Sequence, residues 1–241
     1  MSLAKDIEAY FQENGIDHEK VAYCITDLEH NIKYSMNEKD EFIAASIYKL
    51  PLAMLYYDKV NEGEYTLDST FTYSGYMHED AGVISSDYGI GSQVPLSDLL
   101  NDLIIYSDND AGHILYENLG GWKEYKEAMT KYTDSISENY YTMDNVTTAN
   151  AMNDVVTYLY DHKEDYKGLI KNMEEAEPGE YLDRDTQLSM PQKYGMYDYA
   201  LNSVGFVECN TSYSIVVLTS LGDKGADVMA NINRIAYEHF K

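Results

Sequence analysis

Two β-rich stretches stand at opposite ends of this chain, and neither makes a convincing sheet alone. VAYCITDL (21–28) and IKYSMN (32–37), separated by EHN, read as a hairpin rich in β-branched and aromatic residues. Strand character then vanishes until MPQKYGMY (190–197), NSVGFVEC (202–209) and SYSIVVLTS (212–220). An isolated two-stranded hairpin is marginal in water. The chain therefore has to bring residues 21–37 beside 190–220, in one mainly antiparallel sheet of an α/β (α+β) protein. Whatever lies between becomes an insertion.

That insertion reads as helical. A first helix is expected over 3–14, ahead of the hairpin. From Ala45 the apolar residues Ile47, Leu50, Met54 and Leu55 follow helical spacing until NEGEYTLD ends the run. Pro51 lies near the first turns and is expected to disturb the ladder locally, because it lacks an N–H. Further helices are predicted at 95–107, 109–120, 121–132 and 147–162, the last capped by Thr147 or Thr148, and ADVMANINRIAYEHF closes the chain. The expected division is one domain over 1–241, with an α/β part at 1–61 and 190–241 and a helical subdomain at 62–189. A ligand site belongs in the cleft between them.

Charge narrows the partners. Seventeen basic and 42 acidic residues give a net charge of −25, which repels phosphate backbones and anionic membranes, so nucleic acid is not an expected partner. No apolar run approaches the ~20 residues of a membrane span. The opening MSLAKDIEAYFQEN is an amphipathic helix start rather than a secretory leader. Cys24 and Cys209 lack CxxC spacing and read as buried thiols, with a bridge between them left open. His18, His30, His78, His113, His162 and His239 show no HExxH or paired spacing, so neither a metal site nor a cofactor is expected.

Three short polar motifs fall at element ends facing the expected cleft. In AASIYKLP (44–51), Ser46 and Lys49 are three apart at a helix start, so the amine can reach the hydroxyl. A serine becomes a useful nucleophile when a base adjoins it. Ser107-Asp108-Asn109 lies at a helix–helix break, where the hydroxyl can relay a proton and the amide can orient Lys49 or a substrate carbonyl. Lys193-Tyr194-Gly195 is on a predicted strand, where the cation can bind a carboxylate and an edge amide can donate into an oxyanion hole. Each motif also has an ordinary structural meaning. Ser46 can be a helix N-cap, Ser107-Asp108-Asn109 can be capping residues, and Lys193 can be a solvated strand residue. The chain even repeats two of the patterns elsewhere, at Ser2 with Lys5 and at Ser137-Glu138-Asn139. Their joint order favours chemistry.

In that order the sequence resembles the penicillin-recognising serine hydrolases, and most closely their class A β-lactamase branch, whose signature runs S-x-x-K, S-D-N, K-T-G. The first gap, 107 − 46 = 61 residues, is similar to the family's spacing. FIAASIYKLPLAMLYYDKVNEGEYTLD, LSDLLNDLIIYSDNDAGHILYENLGG and GFVECNTSYSIVVLTS resemble its nucleophile helix, S-D-N region and last two strands. The resemblance implies a five-stranded sheet flanked by helices with an all-α subdomain. It makes Ser46 the acylated nucleophile and Lys49 its base or relay partner. Ser107 becomes the shuttle to the leaving nitrogen, and Asn109 positions Lys49 and substrate. It implies that Lys193, with Tyr194 and Gly195, holds the substrate carboxylate, and that the backbone amides of Ser46 and Met196 form the oxyanion hole.

Two departures stand out. Lys-Tyr-Gly replaces the family's Lys-Thr-Gly, which removes a hydroxyl that would help to bind a carboxylate. The family's E-x-x-L-N segment, whose glutamate activates the deacylating water, has no counterpart in TDSISENYYTMDNVTTANAM (133–152). Glu138 is the only glutamate there and is the remaining candidate for water activation. Three functions follow as expectations. The first is a serine β-lactamase opening β-lactam amides through an acyl-enzyme. The second is a penicillin-binding D-Ala-D-Ala peptidase-like enzyme with slow deacylation. The third is a non-hydrolytic domain that binds β-lactams or cell-wall peptides. The family resemblance further implies action outside the cytoplasm on small molecules; a monomer is expected.

Overall fold

The computed structural model describes residues 2–75, 82–186 and 188–241; His78 lies outside them. The first helix, α1 (Leu3–Asn14), buries Leu3, Ile7 and Phe11, a stripe at i, i+4, i+8. Gly15 closes it in the left-handed region (φ 61°), donating its N–H back to Phe11 O. The predicted hairpin follows as β1 (Val21–Asp27) and β2 (Ile32–Met36), then a short strand β3 (Phe42–Ile43). A 3₁₀ turn over Ala45–Tyr48 leads into α2 (Lys49–Asn61), which buries eight consecutive residues from Lys49 to Tyr56. A helix buried all round is a core helix. Because α2 begins only at Lys49, Pro51 occupies its first turn, where no intrahelical partner awaits the missing N–H. The expected disturbance therefore has no ladder bond to break.

The middle of the chain supplies β4 (Thr70–Thr72), α3 (Val83–Asp87), β5 (Gln93–Pro95), α4 (Leu96–Ile105), α5 (Asn109–Asn118) and α6 (Trp122–Met129). Next come β6 (Val146–Thr147), α7 (Ala149–Asp161) and α8 (Lys167–Glu174). The chain ends with β7 (Gln192–Tyr197), β8 (Ala200–Val207), β9 (Tyr213–Thr219) and α9 (Lys224–Phe240). Of the two candidate caps for α7, Thr148 takes the role, its hydroxyl accepting from Ala151 N at 3.1 Å.

The two β-rich ends do meet, in one five-stranded antiparallel sheet of order β2-β1-β9-β8-β7. Helices cover both faces, so β1 is buried along its whole length rather than alternating with solvent. Val21, Tyr23 and Ile25 join Ile7, Val228 and Ile232 in a core under α1 and α9. Ala22 and Cys24 instead face the larger core built around α2. Although α7 falls inside the predicted helical stretch, it lies on the sheet: buried Asn153 bonds Thr26 of β1 and Ser214 of β9. Cys24 and Cys209 are both free thiols, the first buried and pushed up to about 12 by that burial.

For function the decisive element is β7. It is an edge strand of this sheet, and its outer side runs beside the 3₁₀ turn that carries Ser46.

Candidate active site

Ser46 does not cap a helix: neither the 3₁₀ turn nor α2 has a side-chain cap bond at its start. Instead Ala45 adopts the left-handed conformation (φ 50°), strained for a residue with a Cβ, and delivers Ser46 half-buried at the edge of a cleft. Two asparagines hold the strained backbone. Asn145 Nδ2 donates to Ala45 O at 2.9 Å, while Ala44 N donates to Asn145 O at 2.8 Å. From the other side, fully buried Asn202 on β8 donates to Ile43 O (2.8 Å) and Ala44 O (3.0 Å).

Gly195 explains how closely β7 approaches. A Cβ there would stand 2.5 Å from Ser46 N and 2.7 Å from Ile47 N, so any side chain would drive the strand off the turn. This contact sets Gly195 and the following Met196 beside the Ser46 amide.

Lys49 is wholly buried, yet its ammonium is well bonded. It donates to Ser107 O at 2.5 Å, Asn109 Oδ1 at 2.7 Å and Ser107 Oγ at 3.4 Å. These partners come from the α4–α5 turn, some 60 residues further along the chain. Ser107 is left-handed there (φ 56°), and the helix-capping duty belongs to Asp108 alone, whose carboxylate accepts from Ala111 N at 2.8 Å and Ile84 N at 3.2 Å. Ser107 and Asn109 are thus left to Lys49.

Lys193 is also wholly buried, and its amine has no hydrogen-bond partner among the described residues. It sits 4.3 Å from the centre of the Tyr194 ring, a cation–π contact. Burial holds it well below the ordinary lysine range, and the nearby Lys49 charge pushes the same way. The alternative of a solvated strand lysine is therefore set aside, since the residue is buried. Tyr194 stacks on Tyr181 with ring centres 4.7 Å apart, and its side chain is not among those lining the Ser46 cleft.

That cleft has a volume of 630 Å³. Its walls are Ile43, Ala45, Ser46 and Tyr48 on one side, Asn109 at the α4–α5 turn, and Met196 with Tyr197 at the end of β7. The remaining wall is Met143, Asp144, Asn145 and Val146, from the loop before α7. Lys126 of α6, itself buried, sets this loop by donating to the carbonyls of Tyr140 (2.6 Å), Thr142 (2.8 Å) and Asp144 (2.5 Å).

Glu138 is not brought to Ser46. It is exposed and lines a separate hollow with Lys39, Glu41 and Asn150, which shares no wall residue with the Ser46 cleft. The supporting residues Asn145, Asn202 and Lys126 were not anticipated. Asn202 did leave a signal, a polar pair with Ser203 inside a strand otherwise free of polar side chains; Asn145 and Lys126 left none. Among the described residues no three His, Cys, Asp or Glu side chains gather as a metal site requires.

The profile of the β-lactamase enzyme family matches residues 2–240, and the chain belongs to that family. Its fold is that of class A β-lactamases. A β-lactamase from Chitinophaga pinensis superposes with a TM-score of 0.80 at 22% identity, covering 98% of this chain and 100% of the other. A class A β-lactamase of the last common ancestor of Gram-negative bacteria superposes at 0.84 with 18% identity, covering both chains fully. A mutant of PBP-A, seen as an acyl-enzyme complex with penicillin G, superposes at 0.83 with 17% identity over 99% of this chain and 96% of the other. At such identities the likeness carries the fold; the chemistry has to be argued from the residues.

Proposed function

We propose that this protein is an active-site serine hydrolase that opens β-lactam amides through an acyl-enzyme at Ser46. The observation that carries the proposal is the buried Lys49 ammonium, held by Ser107 and Asn109 at the foot of the cleft that Ser46 lines. In its neutral form Lys49 takes the Ser46 proton as Oγ attacks the carbonyl carbon and the new C–O bond forms. The amide C–N bond then breaks, the proton passes through Ser107 to the departing nitrogen, and the Lys49 amine is regenerated. The Ser46 and Met196 amides are assigned to the oxyanion, an arrangement that the close approach of Gly195 favours. Lys193, with the Gly195 backbone, is assigned to the substrate carboxylate, which would give its buried amine a partner.

Release is the weaker half of the reaction. Hydrolysis of the ester needs a base within ~3 Å of the attacking water, and the position of Glu138 in a separate hollow gives it no such reach. This favours a second reading, a penicillin-binding, D-Ala-D-Ala peptidase-like enzyme whose acyl adduct persists. We place either enzyme outside the cytoplasm on family resemblance, where turnover of β-lactams would protect the cell; among the described residues no helix is long and apolar enough to cross a membrane.

Mixing the protein with a chromogenic cephalosporin while following colour and intact mass separates the readings. Sustained colour supports a β-lactamase. A stable mass increase that disappears in Ser46→Ala supports the slow-release enzyme. If neither is seen, acylation is wrong and a non-hydrolytic binding domain remains.

A further inference from the structure

Of the ten large apolar side chains that stand exposed among the described residues, four surround one cleft. Met143 is 78% exposed, Tyr197 67%, Met196 60% and Ile43 43%, and all four line the Ser46 cleft. Exposed apolar surface gathered at one concave site marks a place where a ligand buries it. Among them is one carboxylate, Asp144, exposed and without a hydrogen-bond or ion-pair partner for its side chain among the described residues. It is no loose surface charge. Its own carbonyl is held by Lys126, and its neighbour Asn145 is bonded on both sides to residues 44 and 45, directly before Ser46.

The direction of β7 says which part of a substrate meets this wall. Gly195 touches the Ser46 turn, Lys193 lies two residues to one side, and Met196 and Tyr197 lie to the other. Lys193 and Tyr197 are thus separated by on the order of 13 Å of extended strand. A substrate lying along this edge, with its carboxylate toward Lys193 and its carbonyl at Ser46, extends its acyl side chain over Met196, Tyr197 and Met143, beside Asp144. Among the described residues no cation lines that end of the cleft, although the buried Lys126 is close enough for the Asp144 charge to act on it.

From this we infer that the cleft selects acyl side chains that are apolar and carry a protonated amine, and disfavours those that carry a carboxylate, with Asp144 as the charge-selecting residue. The inference rests on the Ser46 acylation reading for its orientation.

Three penicillins test it: benzylpenicillin, ampicillin and carbenicillin share a phenylacetyl side chain whose α carbon bears hydrogen, an ammonium or a carboxylate. The second-order rate of Ser46 acylation, read by intact mass, should fall in that charge order, ammonium first and carboxylate last. An exposed ion pair is worth about 1.4- to 5-fold, so the two extremes should differ by about fivefold. In Asp144→Asn most of that ratio should vanish. The substitution moves the net charge only from −25 to −24, so repulsion by the molecule as a whole cannot account for the loss. Equal rates for the three, or an unchanged ratio in Asp144→Asn, would overturn the inference. Equilibrium binding of the same penicillins to Ser46→Ala keeps the two proposals apart. The charge order there, without acylation of the parent protein, supports the subsite and refutes the enzyme. No binding, or no charge order, refutes the subsite.

Discussion

At the scale of single residues, Lys193 has the most to reveal. A buried amine without a hydrogen-bond partner is held well below its ordinary value, chiefly by burial and then by Lys49. Between its folded value and the ordinary lysine value, the unfolded chain binds the proton and the folded one does not. Stability contributed here therefore rises with pH across that window. Lys193→Met removes the effect. The variant should melt higher than the parent at pH 7, by at least the ~2–4 °C that 1 kcal/mol represents in a chain of this size. The gain should shrink as the pH approaches ~10. On the proposed acylation reading, the rate at which a penicillin acylates Ser46 should fall by about tenfold or more, because the substrate carboxylate that would draw a proton onto this buried amine loses its partner. A variant both less stable and equally active would contradict this role. Gly195 belongs to the same scale: one missing Cβ lets the strand edge reach the backbone of Ser46.

At the scale of elements, the α4–α5 turn joins stability to the site. Asp102 near the end of α4 is raised to about 7, first by burial and then by Asp108, Asp98 and Asp87. Its folded value exceeds the ordinary 3.8, so the folded state holds the proton more tightly. The stability it contributes is complete below about pH 4 and is lost as the pH rises through about 7. Asp102→Asn should leave melting unchanged at pH 4 and raise it at pH 8, by roughly 1–3 kcal/mol for a buried group relieved of an unfavourable charge. Melting curves of both proteins at the two pH values check it; a difference of equal size at both would show that packing, not charge, is responsible. Elements also show what local pattern can convey. The stripe of α1, the five sheet strands and a threonine cap at 147 or 148 were legible, because side-chain period and cap chemistry act over a few residues. The helix α8 was not, since it spans eight residues and buries only Leu169, Asn172 and Met173. The two-residue partners β3 and β6 were hidden for a related reason: each exists only by pairing with the other, Phe42 opposite Thr147.

At the scale of the whole molecule, a net charge of −25 makes self-repulsion the dominant long-range term. The ion pairs described lie mostly at exposed side chains, where each contributes little. Salt should therefore stabilise the protein. Its melting temperature should climb between about 0.01 and about 1 M sodium chloride, as the screening length drops from about 30 to about 3 Å. A fall over that range, measured by calorimetry, would mean that attractive pairs outweigh the repulsion.

The sequence by itself determined the sheet, the helix that follows Ser46, and the order of Ser46, Lys49, Ser107, Asn109 and Lys193 along the chain. Those properties reside in short-range periodicity and spacing. Only the tertiary structure decided that Lys49 is bonded by Ser107 and Asn109, that Lys193 is buried, and that Tyr194 turns to Tyr181. It also decided that the loop before α7 brings Asp144, not Glu138, to the cleft. The two carboxylates are six residues apart on one loop, and nothing local distinguishes them. Three carbonyls gathered on the Lys126 amine, and Asn145 bonded to the backbone before Ser46, set which of them lines the Ser46 cleft.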